Sequence, residues 1–525
     1  MNRGARSSQD VGDRPTPLSA GPPAEPGPGA HRLASVAIAA IVVSLLIMIG
    51  AAVVRNAWEH PYIALPAHGP PWGLSRHLSI MSVSEAMWVA AILGGGGVIA
   101  GLAAIARGAR PPARLLLLIG LVATVTFVLL LPAGSTDALD EAAYGRIAVL
   151  GHSPYLMNPK QLGALHDPVG LNAPLVWNNQ FTLYGPLSTG LEWAAAKLGG
   201  TSVARIILWL KLWNAIAFAV VALVLDRVLR SDQARRARAH LLWSANPLLL
   251  WVLVAEGHVE TFGAAAGLLG LILVRTRGPS GRADAVRWLA AGLLVGAAVE
   301  VKVTYALFGL GLVWAGRRSL AACLCAGAGA AVAILPGYLW FGTPSISVLF
   351  ARDYLSSIDN FYQLFAGSYG RTIPGQTVVG ALLFVAVALL MLWRFPADLP
   401  GLPAIGPALA LSAAWLLLWP YTFPWYDAMV FCLLALYRPS RLDWVILAQL
   451  TIGVFALMPG NAGTPPQHAL AVINNDLLYW VVPAVLLLIA AGLVWLCLTG
   501  RWKMGQVSEP GAQPPGLAAA AVSGR

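Results

Sequence analysis

The chain has 525 residues, of which 58% are hydrophobic and only 11% charged, with a formal net charge of +11. A soluble globular domain carries roughly 25% charged residues, so this composition excludes one and points to a membrane protein. The basic residues are scattered over loops and form no single aromatic-laced patch, which argues against nucleic-acid binding.

Residues 1–32 are rich in Pro, Gly, Ser and Ala without periodicity and read as a disordered cytoplasmic tail. The apolar run from about Leu33 is too long for a secretory signal and lacks its cleavage site, so it is taken as a retained first span. Fourteen apolar runs follow one another: 33–54, 85–107, 115–132, 203–226, 241–254, 259–274, 288–300, 303–316, 320–340, 377–393, 403–419, 426–438, 442–458 and 478–498. A spanning segment must satisfy its own backbone, so each reads as helix. The expectation is an all-α polytopic bundle over residues 33–498 with about fourteen spans, short extracytoplasmic loops and juxtamembrane helices. Several runs, notably 241–254, 288–300 and 426–438, are short for a full crossing. Residues 499–525 read as a second disordered cytoplasmic tail.

Fourteen spans with the N-terminus in the cytoplasm place 24 of the 34 Lys and Arg on the cytoplasmic side, as the positive-inside rule requires. Both termini then lie inside, and the longest loop, 133–202, faces away from the cytoplasm. The cysteines Cys323, Cys325, Cys432 and Cys497 fall inside apolar runs and read as packing. Cys323 and Cys325 are two apart and point to different helix faces, which suggests neither a zinc site nor a redox pair.

In the long loop, Asp137, Asp140, Glu141 and Tyr144 are spaced i, i+3, i+4 and i+7, so in a helix they share one face. Three like charges on one face raise the pKa of at least one acid unless a cation answers them; Arg146 is near in sequence. A solvated acidic helix would show the same spacing. Gly151-His152-Ser153-Pro154-Tyr155 stops that helix. Trp177-Asn178-Asn179 and Tyr184-Gly185-Pro186 suit either sugar stacking or an interfacial belt. Further on, His258 lies between Glu256 and Glu260 where two runs meet, a weak metal signal for lack of further spaced ligands. Lys302 sits at another junction, where an ionisable group is costly and usually functional; an ion pair with Glu300 or simple snorkelling is the plainer reading. Pro420 to Asp427, with Trp425 and Tyr426, forms a stiff aromatic knuckle.

Ser135-x-Asp137, Gly145, Gly151-His152-Ser153-Pro154-Tyr155 and Tyr184-Gly185-Pro186-Leu187 resemble the first periplasmic loop of the actinobacterial polyprenol-phosphate-mannose-dependent α-(1→6)-mannosyltransferases, integral membrane enzymes of the GT-C superfamily. The similarity continues in Asn246-Pro247-Leu248, Glu256-Gly257-His258-Val259-Glu260, Lys302 and Pro424-Trp425-Tyr426, in the same order over residues 135–427. Where the family usually reads Ser-Arg-Asp-Val-Tyr-Ser-Tyr, this chain has Ser135-Thr136-Asp137-Ala138-Leu139-Asp140-Glu141, and Val259 replaces an Asn. It is a divergent member by these motifs.

The resemblance implies transfer of mannose from a polyprenyl-phosphate donor to a cell-envelope glycan or lipoglycan on the outer face of the plasma membrane. It assigns the catalytic base to Asp137, and the leaving phosphate to Lys302, His258 or Arg371. Tyr155, Tyr184, Glu260, Trp425 and Tyr426 join Asp140, Glu141 and Arg146 as substrate-binding candidates. Apart from the resemblance, the loop residues Arg352, Asp353, Tyr354, Asp359 and Arg371 to Thr372 are candidates for holding an acceptor glycan. No resident cofactor is expected, the lipid-linked sugar phosphate being a substrate, and a divalent metal stays open. The other class the composition admits is a polytopic transporter or lipid-carrier flippase. Such proteins carry internal repeats and polar groups at the bilayer midplane, whereas here acids and aromatics gather on one face.

Overall fold

The computed structural model describes residues 27–54, 63, 65–74, 78–174, 177–350, 357, 360–366, 373–396, 399–457 and 477–503. Most of the two tails expected to be disordered, and the candidates Arg352, Asp353, Tyr354, Asp359, Arg371 and Thr372, lie outside the described residues. Residues 28–32 belong to the first helix, because Gly27 and Pro28 make a favourable start five residues before the apolar run.

All regular structure among the described residues is helical, apart from two isolated bridges. In chain order the helices are α1 Pro28–Val53, α2 Ile80–Ala106, α3 Ala113–Val128, α4 Asp137–Val149, α5 Pro159–Ala164, α6 Pro168–Leu171, α7 Pro186–Gly199, α8 Val203–Val228, α9 Gln233–Leu242 and α10 Pro247–Leu249. A π-helical turn, Leu250–Ala255, continues α10. Then come α11 Glu260–Leu273, α12 Arg282–Val301, α13 Ala306–Gly316, α14 Leu320–Phe341, α15 Thr343–Phe350, α16 Gln363–Ala366, α17 Gln376–Arg394, α18 Ile405–Leu418, α19 Asp427–Leu436, α20 Leu442–Ala456 and α21 Val482–Thr499.

Among the described residues six helices are long and apolar enough to cross a membrane: Pro28–Val53, Met81–Ala106, Val203–Val228, Leu320–Phe341, Gln376–Arg394 and Leu477–Thr499. Gln233–Ala255 and Glu260–Leu273, bent by 117°, add a seventh if taken as one span. The expected count of about fourteen is not reached. Every run lies on a helix, but 241–254 and 259–274 are two arms of one bend, and five others are helices of 10–17 residues. Helices of that length reach about 15–26 Å, short of a hydrocarbon core about 30 Å thick. α18 and α19 explain how an apolar run misleads: every residue of both is buried, so they are hydrophobic all round because protein, not lipid, surrounds them.

α12 and α14 pack through Gly292-x-x-x-Gly296, the small-residue spacing that lets membrane helices approach closely. A Cβ on Gly292 would stand 1.9 Å from the Ala326 carbonyl oxygen, and one on Gly329 would stand 2.0 Å from that of Leu289. Gly292→Ala is therefore expected to force the helices apart and cost about 1–3 kcal/mol. A thermal midpoint equal to that of the parent protein in the same detergent would refute this.

The main core runs through α9, the π turn, α18, α19 and α20. A smaller core lies under the long loop, where Ala138, Ala142 and Ile147 of α4 meet Ala195 and Ala196 of α7 and Ile206 of α8.

Candidate active site

The Ser135 hydroxyl accepts the Asp137 backbone N–H at 3.1 Å. This fixes the first turn of α4, an end that favours a carboxylate through the helix dipole. Asp137, Asp140, Glu141 and Tyr144 share the face their spacing predicts, and Gly151, with φ +85°, follows the helix end. The face is not solvated: Asp140, Glu141 and Tyr144 are buried. α4 lies against α7 so closely that a Cβ on Gly145 would meet the Glu192 carbonyl oxygen at 2.2 Å. That crossing brings the buried Glu192 within electrostatic reach of Glu141.

Opposite α4, the bend between the π turn and α11 presents Glu256, His258 and Glu260. Asn214 of α8 pins it, donating to the Gly257 carbonyl at 2.7 Å and accepting from the Thr261 hydroxyl at 2.9 Å. Lys211, also on α8, donates to the carbonyls of Leu130 and Leu131 at 2.9 and 3.2 Å. An intramembrane lysine is by default a functional candidate; this one anchors the strand of chain that leads into Ser135 and Asp137.

His258 Nε2 lies 3.0 Å from Glu256 Oε2, and its Nδ1 lies 4.0 Å from Asp137 Oδ2. Its ring stacks on Trp425 with centroids 4.0 Å apart and 16° between planes, and Trp425 stacks in turn on Phe423 at 4.6 Å. Lys302 Nζ donates to Glu260 Oε1 at 2.5 Å and sits 4.0 Å from the Tyr426 ring centroid and 5.2 Å from that of Tyr184. The pair is thus Lys302 with Glu260 and not with Glu300. Tyr184 is delivered by Gly185, whose N–H donates to the Val301 carbonyl at 3.0 Å. A Cβ there would stand 2.1 Å from the Glu300 carbonyl oxygen, so only glycine lets this segment sit on the end of α12.

The structure therefore brings together Asp137, Glu141, Tyr184, His258, Glu260, Lys302, Trp425 and Tyr426. Asp140 lies on the same buried face. Arg146 is not with them: its Nε donates to Asp167 at 2.8 Å. It follows Asp137 by nine residues, two and a half turns, and so points to the opposite side of α4. Tyr155 stands behind the site and holds it, its hydroxyl donating to the Tyr184 carbonyl at 2.8 Å. Glu192 was not singled out from sequence, although one acid in the apolar stretch of α7 is a usable signal.

Burial dominates the electrostatics. It pushes Asp137 up to about 6; Lys302 draws it down, and Glu260 pushes it up again. Glu141 is raised well above the carboxylate range, first by burial and then by Glu192, Glu260 and Asp137. Burial lifts Glu192 to about 8, so it keeps its proton at neutral pH. Neither oxygen of Glu141 finds a hydrogen bond of good geometry, and Glu260 Oε2 and His258 Nδ1 are likewise unpartnered. The Asp137 side chain is 23% exposed, while those of Glu256, His258 and Glu260 are each 1% exposed. Asp137 is thus the carboxylate of this group that an incoming molecule can touch. No group of three or more His, Cys, Asp or Glu among the described residues is arranged to hold a metal ion.

Residues 33–318 match the N-terminal domain of the α-(1→6)-mannopyranosyltransferase family. Among curated proteins, the chain is 28% identical over 199 residues to a probable α-(1→6)-mannopyranosyltransferase of Mycolicibacterium smegmatis, covering 34% of this chain and 35% of that protein. It is 27% identical over 156 residues to an α-(1→6)-mannopyranosyltransferase of Mycobacterium tuberculosis, covering 28% of this chain and 26% of that protein. The chain thus spans about a third or less of the length of the curated relatives it matches. No solved structure matches. The segment matched to the family runs through α4, the bend and Lys302, so it contains all of the site except the aromatic knuckle, and the chain belongs to the α-(1→6)-mannopyranosyltransferase family.

Proposed function

We propose that the chain is a glycosyltransferase of GT-C type that moves mannose from a polyprenyl-phosphate donor to a cell-envelope glycan or lipoglycan. In this reading both termini are cytoplasmic and the site lies at the outer face, which is supported by the gathering of Arg275, Arg394, Arg438 and Arg441 at the helix ends remote from Asp137. The observation that carries the reading is the pairing of roles in one place. One partly exposed carboxylate, Asp137, stands in a buried group whose cation, Lys302, acts on it.

In the proposed step the acceptor hydroxyl attacks the anomeric carbon of the donor while Asp137 takes its proton. The bond from that carbon to the phosphate oxygen breaks, and the polyprenyl phosphate leaves with the electron pair. Lys302 answers the charge that grows on the phosphate, sharing its hydrogen bonds between Glu260 and the phosphate oxygens. His258, oriented by Glu256 and the Trp425 ring, turns Nδ1 towards Asp137. Inversion of a β-linked donor to an α product accompanies a single displacement.

The test is an assay of the purified full chain with polyprenyl-phosphate mannose and an envelope glycan acceptor. Transfer is expected, with a rate that depends on the ionised form of Asp137. That group is protonated below its folded pKa of about 6, so the rate should fall about tenfold per pH unit below that value and level off above it. Movement of the lipid across a bilayer without sugar transfer would end the proposal.

A further inference from the structure

A second, differently charged site lies at the far ends of the helices that build the first. α12 ends at Lys302 and runs 20 residues back to Arg282, about 30 Å at 1.5 Å per residue. α18 and α19 also have one end at the Pro420 to Asp427 knuckle and the other on this opposite face. There, two adjoining cavities meet at Pro396, with volumes of about 700 and 480 Å³. Arg275, Arg277 and Arg438 line the larger, and Arg394, Arg441, Arg501 and Lys503 line the smaller. These seven cations come from the α11–α12 loop, the end of α17, the α19–α20 turn and the chain after α21. No acid lines either cavity among the described residues.

Two further observations say what would fit. Trp502, which lines the smaller cavity and is 2% exposed, has an indole N–H with no acceptor. The polar groups that line this site are donors and cations, whereas at Asp137 they are largely carboxylates, so this site calls for an acceptor-rich anion. The flank is apolar: Leu389 and Trp393 of α17 and Trp495 and Leu498 of α21 are exposed, and Trp393 is 73% exposed. The Arg394 and Arg501 guanidinium groups lie over Trp393 and Trp495, at 4.1 and 5.7 Å from the ring centroids. That is the headgroup-level arrangement of aromatic and basic side chains, with acyl-chain surface directly beside it.

We propose that these cavities bind the phosphate headgroup of an anionic phospholipid whose acyl chains lie along α17 and α21. A soluble phosphate would satisfy the cations but would leave the apolar flank without a role. Anionic headgroups bind in basic pockets between membrane helices for the same electrostatic reason.

The experiment is native mass spectrometry of the purified full chain in detergent, titrated separately with phosphatidylglycerol and phosphatidylcholine. Retention of phosphatidylglycerol over phosphatidylcholine is expected. Arg438→Gln/Arg441→Gln should weaken it about thirtyfold, and Arg275→Gln/Arg394→Gln comparably, so that one misfolded variant does not decide the result. Arg227→Gln/Arg230→Gln, away from the cavities, should leave it unchanged. Equal retention of the two lipids, an equal loss in the control variant, or displacement of the lipid by millimolar inorganic phosphate would each overturn the proposal.

Discussion

Asp137→Asn is expected to lower the rate of sugar transfer by about 10²–10⁴ while leaving the fold intact. The amide keeps the shape of the carboxylate but cannot take a proton at neutral pH. Stability should hold or rise slightly above pH 6. Burial raises the folded pKa of Asp137 to about 6, so the ionised acid disfavours the folded state there, and a neutral isostere removes that cost. Glu192→Gln is the matched control. Glu192 retains its proton up to about pH 8, so an amide mimics its working form and transfer should change by no more than a few fold. If Asp137→Asn stays within threefold of the parent rate, or if the Glu192 variant is as damaged, the base is elsewhere.

Lys302→Met should fail twice, in ways that can be separated. Glu260, 1% exposed, would lose its 2.5 Å partner and remain as a buried unpaired charge, which costs about 3–5 kcal/mol. Turnover should also collapse, because among the described residues Lys302 is the cation that acts on Asp137. The double variant Lys302→Met/Glu260→Leu removes both charges, so it should regain most of the lost stability but none of the lost transfer. Thermal unfolding and initial rates on the same preparations read the two effects. Recovery of transfer in the double variant would mean that Lys302 only balances Glu260 and never meets the donor.

These two residues mark where the sequence was informative. The face of α4 follows from periodicity alone, because i, i+3, i+4 and i+7 determine neighbours on a helix whatever surrounds it. Its burial does not follow, since it depends on Gly145 admitting α7 and on Tyr155 holding the Tyr184 segment in place. Lys302 could be flagged from its setting, but its partner could not. Glu300, two residues away, was the local candidate, while the fold supplies Glu260 from another helix. Arg146 shows the opposite error, where nearness in sequence stood in for direction around the helix axis. The count of about fourteen spans is not confirmed among the described residues for a related reason: an apolar run reports contact with something apolar, and α18 and α19 find that in the protein itself.

The 117° bend carries one more consequence. It turns the chain back between the π turn and α11, and the side chains of Glu256, His258 and Glu260 at its apex are each 1% exposed. The apex that bears Glu256, His258 and Glu260 is closed in by α8, which pins it through Asn214, and by the Trp425 ring stacked on His258. Bulk water is scarce around groups so buried. A sugar bound there, as proposed, would meet the acceptor hydroxyl before it met a competing water, and hydrolytic waste of its donor would be suppressed by the enclosure of one bend.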